Sequence, residues 1–166
     1  LMEIVSQPDI RSAEQARAAL SRSQSMLAEA QRIGNMGSWR WDIRTNRIVW
    51  SDQVYRMFGL DATVEPDFDS YLKCIHPDDR DRLVMPIQSA MFQGARYQIQ
   101  HRIVLPDGTV RTLNAQGEVE HSANGEPLTM VGICQDVTEL LRLQEEAEEG
   151  RRKQREMLDS MFTFIG

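Results

Sequence analysis

The spacing of apolar and polar positions divides the 166-residue chain into three zones. From about Pro8 to Ile33 the sequence is rich in Ala, Gln, Arg, Ser and Glu, with no Gly or Pro after Pro8. Apolar residues recur at Ala13, Ala16, Leu20, Leu27 and Ala30, close to heptad spacing, and predict a helix. Ser23 weakens that stripe, and Asp9 or Ser12 is the expected cap. Gly34 and Gly37 then punctuate the helix end.

The middle zone, about Gly34 to Thr138, is β-rich. SWRWDIR alternates, with Trp39, Trp41 and Ile43 on one face, and Thr45-Asn46 turns it into a second strand, RIVWS. A short helix capped by Ser51 or Asp52 runs to Phe58 and closes at Gly59. A second covers Phe68 to Cys74. Pro77 opens a longer helix toward Gln93 with Asp78 and Asp79 at its positive end, bent at Pro86. YQIQHRIVL, TVRTLNAQGEVEH and EPLTMVGICQDV follow as strands. Turns at Pro106-Asp107-Gly108 and Asn124-Gly125 join them into a three-stranded meander.

The third zone is helical from Thr138 or Glu139 to about Phe162. Asp136 with Glu139 three residues later fits an acidic variant of the capping box. Leu140, Ala147, Gln154 and Met161 recur every seven residues, as do Leu143, Gly150, Met157 and Phe164. Gly150 and Gln154 interrupt this seam.

Composition narrows the function. Hydrophobic residues at 41% and charged residues at 27% are values of a folded domain. A net charge of -6 and scattered basic residues disfavour nucleic acid as a partner. Two cysteines, Cys74 and Cys134, form neither a disulfide framework nor a metal motif by spacing, and suit a reducing cytoplasm. No apolar run has the length of a membrane span, so no membrane contact is expected from this segment. The opening LMEIVSQPDI lacks the pattern of a signal peptide, and the chain is expected to be a piece of a longer protein. The sequence contains no nucleophile elbow, phosphate loop, H-E-x-x-H or kinase motif.

The order strand, strand, short helices, longer helix, three strands resembles the PAS fold. GSWRWDIRTNRIVWSDQVYRMFGL resembles the first two strands and first helix of the PAS subfamily common before histidine kinase and diguanylate cyclase domains. IHPDDR resembles its central helix start, and HRIVLPDGTVRTL its hairpin, with Thr112 where many relatives carry Trp. VGICQDVTE resembles its last strand and exit motif. The resemblance covers about Gly34 to Glu139. It implies an α+β chain: a five-stranded antiparallel sheet cupped under helices on one face, flanked by N- and C-terminal amphipathic helices. The expected domains are a signalling helix over 1–33, a PAS sensor over 34–138 and an output helix over 139–166. REMLDSMFTFIG resembles the run into a further PAS domain.

Alternation combined with that resemblance gives the expected cup-facing set. It comprises Trp39, Trp41 and Ile43, then Tyr97, Ile99, His101 and Ile103, then Leu113, Ala115 and Gly117, then Met130, Gly132 and Cys134. His101 is either a ligand contact or haem ligand, or a core histidine bonded to nearby backbone or Tyr97. Haem relatives take their ligand from the helix before the third strand, where MPIQSAMFQG has no His. Cys134 is a redox thiol or a small buried hydrophobe. Trp39 and Trp41 stack on a flavin or fill the cup. The cofactor is open between none and one, with flavin ahead of haem. Blue-light relatives carry a GxNC motif that is missing here. His76 with Asp78 and Asp79 reads as a helix start, not a metal site.

The resemblance implies a non-catalytic sensory and dimerisation module. Its signal would pass through Asp136, Thr138 and Glu139 to an output domain or a further PAS domain. A homodimer is expected through Leu20, Leu27, Leu140, Leu143 and Ala147 on the flanking helices. The alternatives are a flavin or haem redox sensor, and a small-molecule enzyme on the same cupped scaffold.

Overall fold

The computed structural model describes residues 10–164. Five antiparallel strands form one sheet in the order β2-β1-β5-β4-β3. They are β1 (Met36–Asp42), β2 (Arg47–Trp50), β3 (Tyr97–Val104), β4 (Val110–His121) and β5 (Pro127–Asp136). Between β2 and β3 lie α2 (Asp52–Phe58), α3 (Phe68–Cys74), a 3-10 turn (Pro77–Asp79) and α4 (Arg80–Gln93), all packed over one face. Two long helices, α1 (Ile10–Ile33) and α5 (Thr138–Thr163), flank the sheet and bury no residue. The five-stranded sheet and flanking helices agree with the expected architecture. Asp9, one expected cap of α1, lies outside the described residues.

The turns follow their residue chemistry. Asn46 takes a left-handed φ of 57° in the β1–β2 turn, and Gly108 and Gly125 take φ of 86° and 83° in the two meander turns. Alternation on β3 is complete: Tyr97, Ile99, His101 and Ile103 are buried and their neighbours are not. The α4 helix continues through Pro86.

Two local expectations are corrected and a third is extended. Gly37 does not end α1; it lies inside β1 under α2, where an added Cβ would sit 2.3 Å from Val54 Cγ2. Its missing side chain is what lets α2 rest on the sheet. Asp79 stands at the helix start as expected, and its side chain is also held inside the fold. Its side chain is 4% exposed and accepts from the Arg102 main-chain N–H at 2.8 Å and from Arg102 Nη2 at 2.8 Å, with Arg82 Nη2 at 3.3 Å. These donors, Arg102 first, hold its carboxyl far below the usual carboxylate range. Asp79 thereby ties α4 to β3. Finally, Asp136 and Glu139 form no capping box. Asp136 Oδ1 accepts from the Thr138 main-chain N–H at 3.0 Å, while Glu139 turns to Arg142.

Candidate functional site

The inner sheet face and the three short helices enclose a cavity of about 50 Å³. Its sheet wall holds Trp39 and Trp41 from β1, Ile48 and Trp50 from β2, Tyr97 and His101 from β3, Leu113 and Ala115 from β4, and Met130 and Cys134 from β5. The helices supply Val54 and Phe58, Phe68 and Tyr71, and Ile87. Of the expected set, Ile99 and Ile103 are buried in the core without lining the cavity. Gly132 and Gly117 face each other across β5 and β4 beneath the Trp39 ring, where an added Cβ would meet Trp39 at 2.5 and 2.8 Å. The glycines therefore serve the cup by letting that ring lie against the sheet.

Aromatic side chains take up most of the cup. Trp41 stacks on Phe68 with centroids 4.8 Å apart, Trp50 stacks on Phe58 at 4.7 Å, and Trp39 meets Tyr97 edge-on at 6.1 Å. Trp41 Nε1 donates to Asn46 Oδ1 at 3.1 Å, which fixes the ring relative to the β1–β2 turn.

Polar atoms in the cup are few and linked. The Tyr71 hydroxyl and His101 Nε2 share a hydrogen bond at 3.2 Å, and His101 Nδ1 is buried without a partner. His101 is 1% exposed, and burial pulls its pKa down to about 4, so the ring is neutral. Burial raises the Tyr71 and Tyr97 hydroxyls, and the two tyrosines influence each other. The side-chain partner of His101 is thus Tyr71 on α3, not Tyr97, and the neighbouring Arg102 main chain also acts on the ring. Alternation could not find Tyr71, because a seven-residue helix carries no readable facing pattern and its partner lies 30 residues away. Cys134 is buried beside Met57, and burial pushes its thiol up to about 12, the state of an unreactive hydrophobe. Cys74 donates to the Ser70 carbonyl.

A second constellation lies at the end of β5. Asp136 Oδ2 accepts from Arg111 Nη1 at 3.0 Å, and Oδ1 accepts from the Thr138 N–H and hydroxyl. Thr138 Oγ1 accepts from the Thr112 N–H at 2.8 Å, and the Val137 N–H donates to the Thr112 carbonyl at 2.9 Å. The first turn of α5 is therefore fastened to β4 and β5 through neighbouring residues. Leu20 and Leu27 on α1 are 59% and 61% exposed, Leu140 and Leu143 on α5 are 53% and 51% exposed, and Ala147 is also exposed.

The cup in this arrangement leaves little room for a flavin or haem. A cavity of about 50 Å³ holds a few waters, whereas sites for such ligands run to roughly 300–1,000 Å³. The stacked Trp41–Phe68 and Trp50–Phe58 pairs are part of the wall that narrows the cavity. His101 is already engaged through Nε2. Among the described residues no three His, Cys, Asp or Glu side chains converge as a metal site; His76 Nδ1 instead accepts from the Asp78 N–H at 3.2 Å. No described helix is long and apolar enough to cross a membrane.

Comparison with known proteins fits this geometry. A probable diguanylate cyclase of Escherichia coli is 24% identical over 80% of this chain, which spans 12% of that protein. A blue-light-activated histidine kinase of Brucella ovis is 29% identical over 72% of this chain, which spans 24% of that protein. Among solved structures, a sensory box histidine kinase/response regulator from Burkholderia thailandensis superposes with a TM-score of 0.64 at 25% identity. It covers 78% of this chain and 98% of that structure. The family described as the PAS fold matches residues 47–134, more than half of the chain. Its span takes in β2 to β5 and the three helices that roof the cup, so the chain belongs to the PAS-fold family of sensory domains.

Proposed function

We propose that the chain is a non-catalytic relay that senses through its cup and passes the change to an output domain through α5. The observation that carries this reading is the continuity of β5: Met130 and Cys134 line the cavity, and Asp136 at the end of the same strand accepts from the Thr138 N–H in the first turn of α5. A displacement of the cup wall along β5 reaches the first turn of α5 with no flexible segment between. The cup's small, apolar interior suits a compact apolar ligand or none, and its few polar atoms are tied to one another rather than poised for acid–base work. The relatives' names place such domains in histidine kinases and diguanylate cyclases, which favours a cytoplasmic parent of that kind.

The test is Asp136→Ala in the full-length protein. Output regulation is expected to fall about tenfold while the output domain's basal activity persists, because the Thr138 N–H and hydroxyl lose their acceptor and Arg111 its carboxylate, interactions worth roughly 1 kcal/mol or more each. Regulation that survives the substitution would remove the relay role.

The exposed apolar stripes of α1 and α5 further support a homodimer in which a second copy covers Leu20, Leu27, Leu140, Leu143 and Ala147. Light scattering is expected to give twice the chain mass of 19.1 kDa, and Leu140→Glu with Leu143→Glu to shift it toward the single-chain value. A single-chain mass before any substitution would exclude this pairing.

A further inference from the structure

Three elements meet at Asn35, the residue between α1 and β1. Its φ is 49°, a left-handed conformation that Asn tolerates and that ends α1: the Gly34 N–H still reaches the Ala30 carbonyl, and the Asn35 N–H the Arg32 carbonyl. From this position Asn35 makes two bonds in different directions. Its side-chain Oδ1 accepts from Gln53 Nε2 at 3.0 Å, and its main-chain carbonyl accepts from the Asp136 N–H at 3.1 Å. Beside it the Gly34 carbonyl accepts from Gln135 Nε2 at 3.3 Å. Gln53 is 9% exposed and belongs to α2. The next residue, Val54, lines the cavity and presses on Gly37, and Phe58 lines the cavity one turn on. Asp136 accepts from the Thr138 N–H in the first turn of α5.

We infer that Asn35 is a clasp coupling the roof of the cup to both flanking helices, so that α2, the end of α1 and the start of α5 shift as one unit. A movement of α2, pressed from the cavity at Val54 and Phe58, pulls on Asn35 through Gln53. A movement of α1 pulls on it directly. In either case the Asp136 N–H follows, and the Asp136 carboxylate carries the change to Thr138. The clasp therefore admits signals from two sources, the cup and an element upstream of α1. It deepens the relay reading by adding an input, yet it concerns contacts within this chain. An output indifferent to Asp136→Ala would remove the relay and leave the clasp standing.

Hydrogen exchange read by mass spectrometry on the chain tests the coupling, with Gln53→Leu as the perturbation. Gln53 has no hydrogen bond to any residue from 136 to 141, so a purely local role predicts faster exchange around 51–56 alone. The clasp predicts that amides over 136–141 also exchange about three- to tenfold faster, the factor expected from losing one neutral hydrogen bond. Strands β3 and β4 should stay at the parental rate. Asn35→Gly keeps the left-handed backbone but removes the acceptor, and is expected to reproduce the effect. Asn35→Asp keeps an acceptor oxygen and is expected to match the parent. Unchanged exchange over 136–141 in both Gln53→Leu and Asn35→Gly would overturn the clasp. Should Gln53→Leu loosen every strand, Asn35→Gly alone decides.

Discussion

Alanine at Gly132 is expected to destabilise the domain by about 3 kcal/mol or more, the upper range for forcing an atom into a packed interior. The φ of Gly132 lies outside the left-handed region, so the cost is steric. A Cβ there would lie 2.1 Å from the Gln116 carbonyl oxygen, 2.5 Å from Trp39 Cζ2 and 2.9 Å from Gly117 Cα. Two of these atoms are backbone of the adjacent strand β4, which is held by the β4–β5 ladder and cannot swing aside as a side chain would. Thermal unfolding should move down by roughly 10 °C or more, given several degrees per kcal/mol for a domain of this size. Adding Trp39→Val to Gly132→Ala should restore part of the loss, since it removes the indole and leaves the Gln116 oxygen. A melting temperature within 2 °C of the parent, on the order of the smallest shift such scans resolve, would show that β4 and β5 part more easily than their geometry implies.

That glycine pair also shows what could be read from residues and what could not. Alternation placed Gly117 and Gly132 on the cup face, and Trp39 and Trp41 with them, because strand period is a strictly local property. It gave no hint that the glycines are there to seat Trp39, since the ring comes from β1, far away in sequence. The same division holds elsewhere. α3 runs from Phe68 to Cys74 as expected, and its N-terminus is set by Asp67 and Ser70 within one turn. Asp79 stands at its helix start by the same local logic, but its main partner was not legible, because that donor, the Arg102 main-chain N–H, comes from β3. The cavity lining divides likewise: the lining residues of β1, β3, β4 and β5 were legible from alternation, whereas Ile48 and Trp50 on β2 and Val54, Phe58, Phe68, Tyr71 and Ile87 on the helices were not. Asn35 carried no motif at all. Its role arises because the end of β5 passes the end of α1, a fact of topology rather than of pattern.

The second large expected effect concerns His101 and acid. In the unfolded chain the imidazole titrates near its ordinary value of 6.5, and in the folded chain near 4. Burial is the main cause, the nearby Arg82 charge adds to it, and the Arg102 main chain and the Asp79 carboxylate oppose it without prevailing. A lowered folded value means that the unfolded state binds the proton first. Stability is therefore complete above pH 6.5 and is lost as pH falls from 6.5 through 4, by about 3 kcal/mol in all. The group is 1% exposed, so solvent screening does not dilute this figure much. The lowered aspartates act in a separate range. Asp79, Asp42, Asp61, Asp67 and Asp107 all have an ordinary value of 3.8 and lose their contributions only below it. Glu29 and Glu139, lowered from 4.5, act only below that value, so a decline between pH 6.5 and 4.5 belongs to His101. Denaturant unfolding at half-unit pH steps should show it, and His101→Gln, which can still bond the Tyr71 hydroxyl without titrating, should flatten it. A slope of equal size in the Gln variant would assign the decline to other groups. A flat parent profile would mean that the ring reaches water on protonation, through the orphaned Nδ1 and an opening of α3, where Tyr71 now holds it shut.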